Sequence, residues 1–264
     1  MKRDIFLATF SYNATKEIAE FGIGIEYNHF CISKWLDDEV IDDTLDRMRR
    51  QAVKCGVAFA EEEKGADPDP AKAIVHGPFT DMAPAAFDHI FREQTRLRLE
   101  QAAAASGRLG LNRMVVHSGY VPMVFDPDWH VKESIGFWWD YLGDRPEDFS
   151  LYLENVMDEE PEMLLDIVKG VDDPRMGICL DVGHVNIVSE TPVTGWIEKL
   201  GPHIRHLHLH NNDGARDKHA PFDQGTLDMS EILRAVDSCC PGETTLTVES
   251  RECHESIAWL LEQV

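Results

Sequence analysis

The stretch HLHLHNNDGARDKH, residues 206–219, holds four histidines, and the first three alternate with leucine. Successive side chains of a strand point to opposite faces, so Leu207 and Leu209 take one face and His206, His208 and His210 the other. The same parity marks other short apolar runs. Glu154 ends LYLE with Leu151 and Leu153 on the opposite face, Asp181 ends GICLD opposite Ile178 and Leu180, and Glu249 ends TLTVE opposite Leu246 and Val248. His76 and His117 close KAIVH and RMVVH in the same way. Each of these residues alone reads as an ordinary strand-end group that hydrogen-bonds a turn. Together, carboxylates at three strand mouths repel one another and lose hydration, which bound cations relieve. A mixed imidazole and carboxylate set suits Zn, Mn, Fe or Co better than Ca or Mg. The expectation is a divalent-metal centre, Zn or Mn by preference, of one to three ions.

Such a set needs a scaffold that brings many strand ends to one mouth. Candidate strands at 4–10, 22–27, 72–76, 113–117, 151–155, 177–181, 204–208 and 245–249 recur about once per 33 residues along the 264-residue chain. Between them lie amphipathic stretches such as DEVIDDTLDRMRRQAVKCG, FDHIFREQTRLRLEQAAAASG, PEMLLDIVKG, MSEILRAVDSC and ESIAWLLEQV. Several open on acidic residues or proline and close on glycine, as helices do. The alternation predicts an α/β chain folded as a (β/α)8 TIM barrel, a single domain over 1–264, with its site at the C-terminal ends of the strands. The segment EEEKGADPDP, residues 61–70, reads as a solvated loop, and the N-terminal MKRDIFLATFSY as a first strand rather than a leader.

Composition narrows the function. A formal charge of −23 opposes polyanions, whose binding draws on basic side chains, so nucleic acid is an unexpected partner. No run approaches the roughly 18 apolar residues of a membrane span. The six cysteines lack CxxC or zinc-ribbon spacing, which suits a reducing cytoplasm, and a homo-oligomer is left open.

Read in order, the strand ends resemble those of a known family. HGPF (76–79), VVHSG (115–119), LEN (153–155), CLDVGH (179–184), HLHNNDGARDKH (208–219) and VES (248–250) are similar to the motifs of the xylose isomerase-like barrels. That superfamily, also called AP endonuclease 2, contains sugar isomerases and epimerases, inosose-processing enzymes and endonuclease IV-type AP endonucleases. The resemblance implies that Glu154, Asp181, His208 and Glu249 bind one catalytic metal, as in the epimerase branch. It also implies that His76, His117, His184, Asp217 and His219 match the additional ligands of the trinuclear endonuclease branch. All nine are present, so ligand identity leaves both branches open. The acidic charge and the lack of a basic, aromatic-interleaved stretch favour a small molecule, a sugar or sugar phosphate.

For an isomerase or epimerase the resemblance implies a metal-stabilised enediolate, with Glu154 and Glu249 as the catalytic pair that removes and returns the proton. His184 either contacts a substrate oxygen or orients Asp181. Arg251 either anchors a substrate phosphate or carboxylate or joins a surface ion pair. His206 reads as a buried structural residue and His210 as one that orients loop polar groups. Two alternatives stand beside this reading: a multinuclear metal-dependent phosphoesterase bridged by the two glutamates, and a non-catalytic polyol-binding barrel. The stretch 119–142, GYVPMVFDPDWHVKESIGFWWDYL, is expected to lay an apolar loop over the metals, with Trp138 and Trp139 packing a helix onto the barrel.

Overall fold

The computed structural model describes residues 3–59 and 66–264. Eight strands, β1 (Ile5–Ala8), β2 (Gly24–Tyr27), β3 (Ala73–His76), β4 (Arg113–His117), β5 (Ser150–Glu154), β6 (Met176–Asp181), β7 (Ile204–Leu209) and β8 (Thr245–Val248), pair in parallel in chain order. β1 also pairs with β8, Phe6 opposite Thr247, and this closes a (β/α)8 barrel. Helices α1 (Ala14–Phe21), α2 (Ile41–Cys55), α3 (His89–Gly107), α4 (Pro127–Gly143), α5 (Pro161–Val171), α6 (Val182–Val188), α7 (Val193–Leu200), α8 (Met229–Cys239) and α9 (His254–Gln263) follow the strands.

Strand parity divides the buried side chains into two layers. Leu7, Ile25, Val75, Leu151, Leu207 and Leu246 belong to the large core between barrel and helices, whereas Phe6, Ile74, Val115 and Cys179, with Tyr152 against them, fill the barrel's own interior. The interior needs room for Phe6, and Gly24 provides it: a Cβ there would meet the Phe6 ring at 2.4 Å. Above this apolar floor the inward positions turn polar, and the site begins.

Helix starts are set by acidic caps. Asp88, Asp126, Asp181 and Asp228 each accept a backbone N–H of the first turn of α3, α4, α6 and α8, satisfying a donor that the helix itself cannot. The Asp126 cap and Pro127 correct the reading of 119–142 as one loop: only the part before Pro127 is loop, and the rest is α4. Trp138 packs that helix onto the barrel at 1% exposure, but Trp139 is 64% exposed and does not. Of the acidic segment 61–70, residues 61–65 lie outside the described residues. The remainder is tied down rather than free, because Asp67 pairs with Arg49 at 2.6 Å and Pro68 bridges Ala58. All six cysteines are free. Among the described residues no helix is long and apolar enough to cross a membrane.

Candidate functional site

The polar layer of the barrel is organised around His208. Its register partners place it between Asp181 on β6 and Thr247 on β8, and the side chain is fully buried. Carboxylate oxygens from three other strand ends converge on its Nδ1: Glu154 Oε1 at 3.0 Å, Glu249 Oε1 at 3.6 Å and Asp181 Oδ2 at 3.8 Å. An ion with ligand bonds of about 2.0–2.2 Å holds its ligand atoms at roughly such spacings. Asp181 shows the fit most directly. Its Oδ1 accepts the His184 backbone N–H at 2.7 Å and lies 3.1 Å from His210 Nε2, whereas its buried Oδ2 has no hydrogen-bond partner among the described residues. A buried carboxylate oxygen without a partner is costly unless a cation takes its lone pair.

Two further groups flank this one. Glu154 Oε2 lies 3.1 Å from His76 Nε2 and 3.3 Å from His117 Nε2. On the other side Asp217 Oδ2 lies 3.1 Å from His219 Nε2 and 3.6 Å from His184 Nε2. All nine residues expected to ligate are therefore gathered at one mouth. Asp181 and His208 form its floor, and the other seven line a cavity of about 910 Å³. Histidines interleave with the carboxylates, so that Glu154 alone is within 3.6 Å of four imidazoles.

The sequence profile of the xylose isomerase-like TIM barrel family matches residues 22–262. The chain belongs to that family. An uncharacterized protein of Methanocaldococcus jannaschii, MJ1311, is 32% identical over 177 residues, which cover 62% of this chain and 59% of the relative. Fructoselysine 3-epimerase of Escherichia coli O157:H7 is 33% identical over 66 residues, 25% of this chain and 24% of that enzyme. The alignments thus span less than two thirds of either relative. Among solved structures, the TTHB071 protein of Thermus thermophilus, soaked with ZnCl2, superposes with a TM-score of 0.73 at 26% identity and covers 99% of this chain and 97% of its own. Solved sugar 3-epimerases and a 3-epimerase-like protein, at 14–21% identity, share the fold.

Within this xylose isomerase-like barrel the charges at the mouth are strongly coupled. Burial pushes the Asp181 carboxyl up, yet His184 and His210 hold it at about 2. Burial likewise disfavours a charged His184, but Asp181 and Asp217 drive it up to about 10. For His117 burial prevails over Glu154 and lowers the imidazole to about 3. His206 is buried, as expected. It lies one layer below His208, 2.6 Å from Thr245 Oγ1. His210 orients Asp181 and stacks on His219 at 4.1 Å. His184 Nδ1 is 2.9 Å from the Asn155 carbonyl and 3.7 Å from Asp181 Oδ2, so the side chain reaches both the strand end and the mouth. Arg251 stands at the cavity rim over Phe10 and has no carboxylate within 4.0 Å among the described residues.

Sequence reasoning missed Glu26. This carboxylate on β2 is fully buried, with Oε1 3.0 Å from His208 Nε2 and Oε2 3.1 Å from His206 Nε2, and it accepts the Thr247 hydroxyl at 2.5 Å. Burial alone would raise its pKa, but the two histidines hold it well below the usual range. Burial disfavours a charged His208, yet Cys179 and the carboxylates around it hold the imidazole well above its usual range. With Nε2 directed at Glu26, Nδ1 is the nitrogen that would ligate an ion. Asn155 was missed as well: its side-chain amide donates to the Asp181 carbonyl at 3.0 Å and accepts the Asp181 N–H at 2.8 Å, locking the ends of β5 and β6 together.

Proposed function

We propose that the protein is a divalent-metal-dependent isomerase or epimerase of sugars or sugar phosphates, acting in the cytoplasm as one catalytic domain over 1–264, with Zn or Mn as its ion. The observation that carries the reading is the convergence of Glu154, Asp181 and Glu249 on His208 Nδ1. These four residues would hold the ion. When bound, it would supply positive charge against the developing enediolate. The chain's own groups do the rest. One of Glu154 and Glu249 removes the proton from the carbon next to the carbonyl, and the other returns a proton. Return to the opposite face inverts that carbon, and return to the carbonyl carbon interconverts ketose and aldose. His184 would donate to a substrate oxygen, and Arg251 at the rim, without a carboxylate partner among the described residues, suits a phosphate or carboxylate on the substrate. The partial match to fructoselysine 3-epimerase supports the same chemistry.

A second reading, a multinuclear phosphoesterase of the endonuclease IV type, is favoured by one observation: Glu154 divides its two oxygens between separate histidine groups, as a bridging ligand does. One experiment separates the two. Metal-replete protein is assayed for solvent deuterium exchange into ketoses and for cleavage of abasic DNA, with His117→Ala and His219→Ala alongside. The isomerase reading expects exchange without cleavage and losses of roughly 10–100-fold in each variant, as for groups that support a site from outside its primary ligands. Efficient cleavage, lost in both variants, would overturn it.

A further inference from the structure

Beyond its histidine and carboxylate end, the cavity continues as an apolar wall. Phe79 stacks on His117 with ring centroids 4.2 Å apart and planes within 9°, so the wall starts against the candidate ligands themselves. It then runs over the loops after β3, β4 and β5 to Phe91, Val121, Val124, Phe125 and Met157. Phe91 is 64% exposed, Val124 58% and Met157 45%. Isolated exposed apolar residues are ordinary, but a contiguous patch beside a site marks a surface that binds something. At about 910 Å³ the cavity is near the upper end of the range that holds drug-sized ligands, well beyond what a single six-carbon sugar fills. Charge is distributed to match. Arg251 is the one cationic Lys or Arg side chain among the described residues lining the cavity, and it sits on the β8 side over Phe10. The wall has no cation to hold an anionic group.

We infer that the substrate is a sugar conjugate, with a polyol head at the histidine and carboxylate centre and an apolar aryl or alkyl substituent lying along the wall from Phe79 to Phe91. The inference rests on the sugar isomerase reading and narrows it, since the substituent must be attached away from the reacting carbons. It also selects the loops after β3 and β4 as the determinants of specificity.

The test uses fructose, 6-O-butylfructose and 6-O-benzylfructose, whose substituents leave the carbonyl and its neighbouring carbon free. Binding to metal-replete protein is measured by calorimetry, and deuterium exchange is followed separately. Burying about 100 Å² of benzyl surface at about 25 cal/mol per Å² corresponds to roughly 70-fold in affinity as an upper bound. The expected result is benzyl binding at least about tenfold tighter than fructose, with butyl between them. In a Phe91→Ser, Val124→Ser double variant, both changes being at exposed positions, the benzyl-to-fructose ratio falls toward one. Equal binding of the three sugars overturns the inference whether or not exchange occurs. A dimer that the double variant dissociates also overturns it and assigns the wall to a second copy of the chain. Exchange into none of the sugars, with the benzyl preference intact, overturns the isomerase reading and leaves the apolar subsite standing.

Discussion

Replacing Glu26 with Gln tests whether a residue beneath the candidate ligands governs the centre. The substitution keeps volume and shape but exchanges an acceptor oxygen for a donor. Three donors face the present carboxylate: His208 Nε2 at 3.0 Å, His206 Nε2 at 3.1 Å and the Thr247 hydroxyl at 2.5 Å. A carboxamide has one oxygen for all of them. If its nitrogen turns toward His208, the imidazole must accept at Nε2 and carry its proton on Nδ1, where it blocks the lone pair that faces Glu154, Asp181 and Glu249. If the nitrogen turns toward His206 and Thr247, two buried donors lose their acceptor, at about 1–3 kcal/mol each. Loss of a carboxylate behind a ligating histidine typically weakens metal binding about 10–100-fold, or about 1.4–2.7 kcal/mol. Glu26→Gln is therefore expected to raise the dissociation constant for Zn or Mn by that factor, measured by competition with a chromophoric chelator, and to lower the urea midpoint of the metal-free protein. Thr247→Val is the control. It removes a donor to Glu26 but leaves the Glu26–His208 contact, so affinity should stay within about threefold while stability falls. Parental metal affinity in Glu26→Gln, with stability reduced, would refute the claim that Glu26 fixes Nδ1 of His208 as the ligating nitrogen.

Three further outcomes follow from the same geometry. Dialysis against a chelator should abolish ketose proton exchange and lower the melting temperature, with both restored by Zn or Mn, because an ion at 100 times its dissociation constant stabilises the fold by about 2.7 kcal/mol. Glu154→Gln and Glu249→Gln should each eliminate net turnover of the ketose, followed by chromatography of the product sugar, since an amide oxygen coordinates but cannot carry the proton. By elemental analysis Glu154→Gln should lose more metal, because Glu154 contacts both His208 and the His76–His117 pair. Gly183→Ala would bring a Cβ within 2.0–2.6 Å of the His210 ring. Displacing that ring should cost about 1–3 kcal/mol, which differential scanning calorimetry would register as a drop of a few degrees.

Most of the scaffold and the candidate ligands were legible because parity is a strong signal when one face of a strand meets helices and the other meets the barrel axis. Leu207 and Leu209 announce which way His208 points, and Leu151 and Leu153 do the same for Glu154. Glu26 obeys the same rule, between Ile25 and Tyr27 on the outer face. It escaped notice because it stands alone in the stretch 22–27, with no second polar residue repeating there at the same parity as beside His208, and its partners are 180 or more residues away. The apolar wall was half seen. Aromatic content pointed to the loop after β4, but nothing in the pattern of 87–107 says that Phe91, in the first turn of a helix, faces the mouth rather than bulk solvent. Trp138 and Trp139 illustrate a finer limit: two identical neighbours on one helix point about 100° apart, and only the packing decides which is buried. The length of chain between Asp181 and β7 hid α6 and α7 for a different reason. Both are short and follow one another closely, so neither sustains a helical period.

The stitching of the centre across the barrel fixes when, during folding, it comes into existence. His208 draws its neighbours from β2, β5, β6 and the residue just after β8, and its contact with Glu26 on β2 stands in place only once β1 has paired with β8 and the cylinder is shut. Contacts between such distant parts of a chain form late, after loop-closure entropy has been met. An ion would find this centre without its Glu26 support in an open, partly collapsed chain, would bind it more weakly there than in the closed barrel, and would change the speed of folding little. Its grip would be felt on the reverse path, as a slower rupture of the β1–β8 seam and a longer lifetime of the closed barrel. Metal scarcity would then act on molecules already made, shortening their survival rather than hindering their birth.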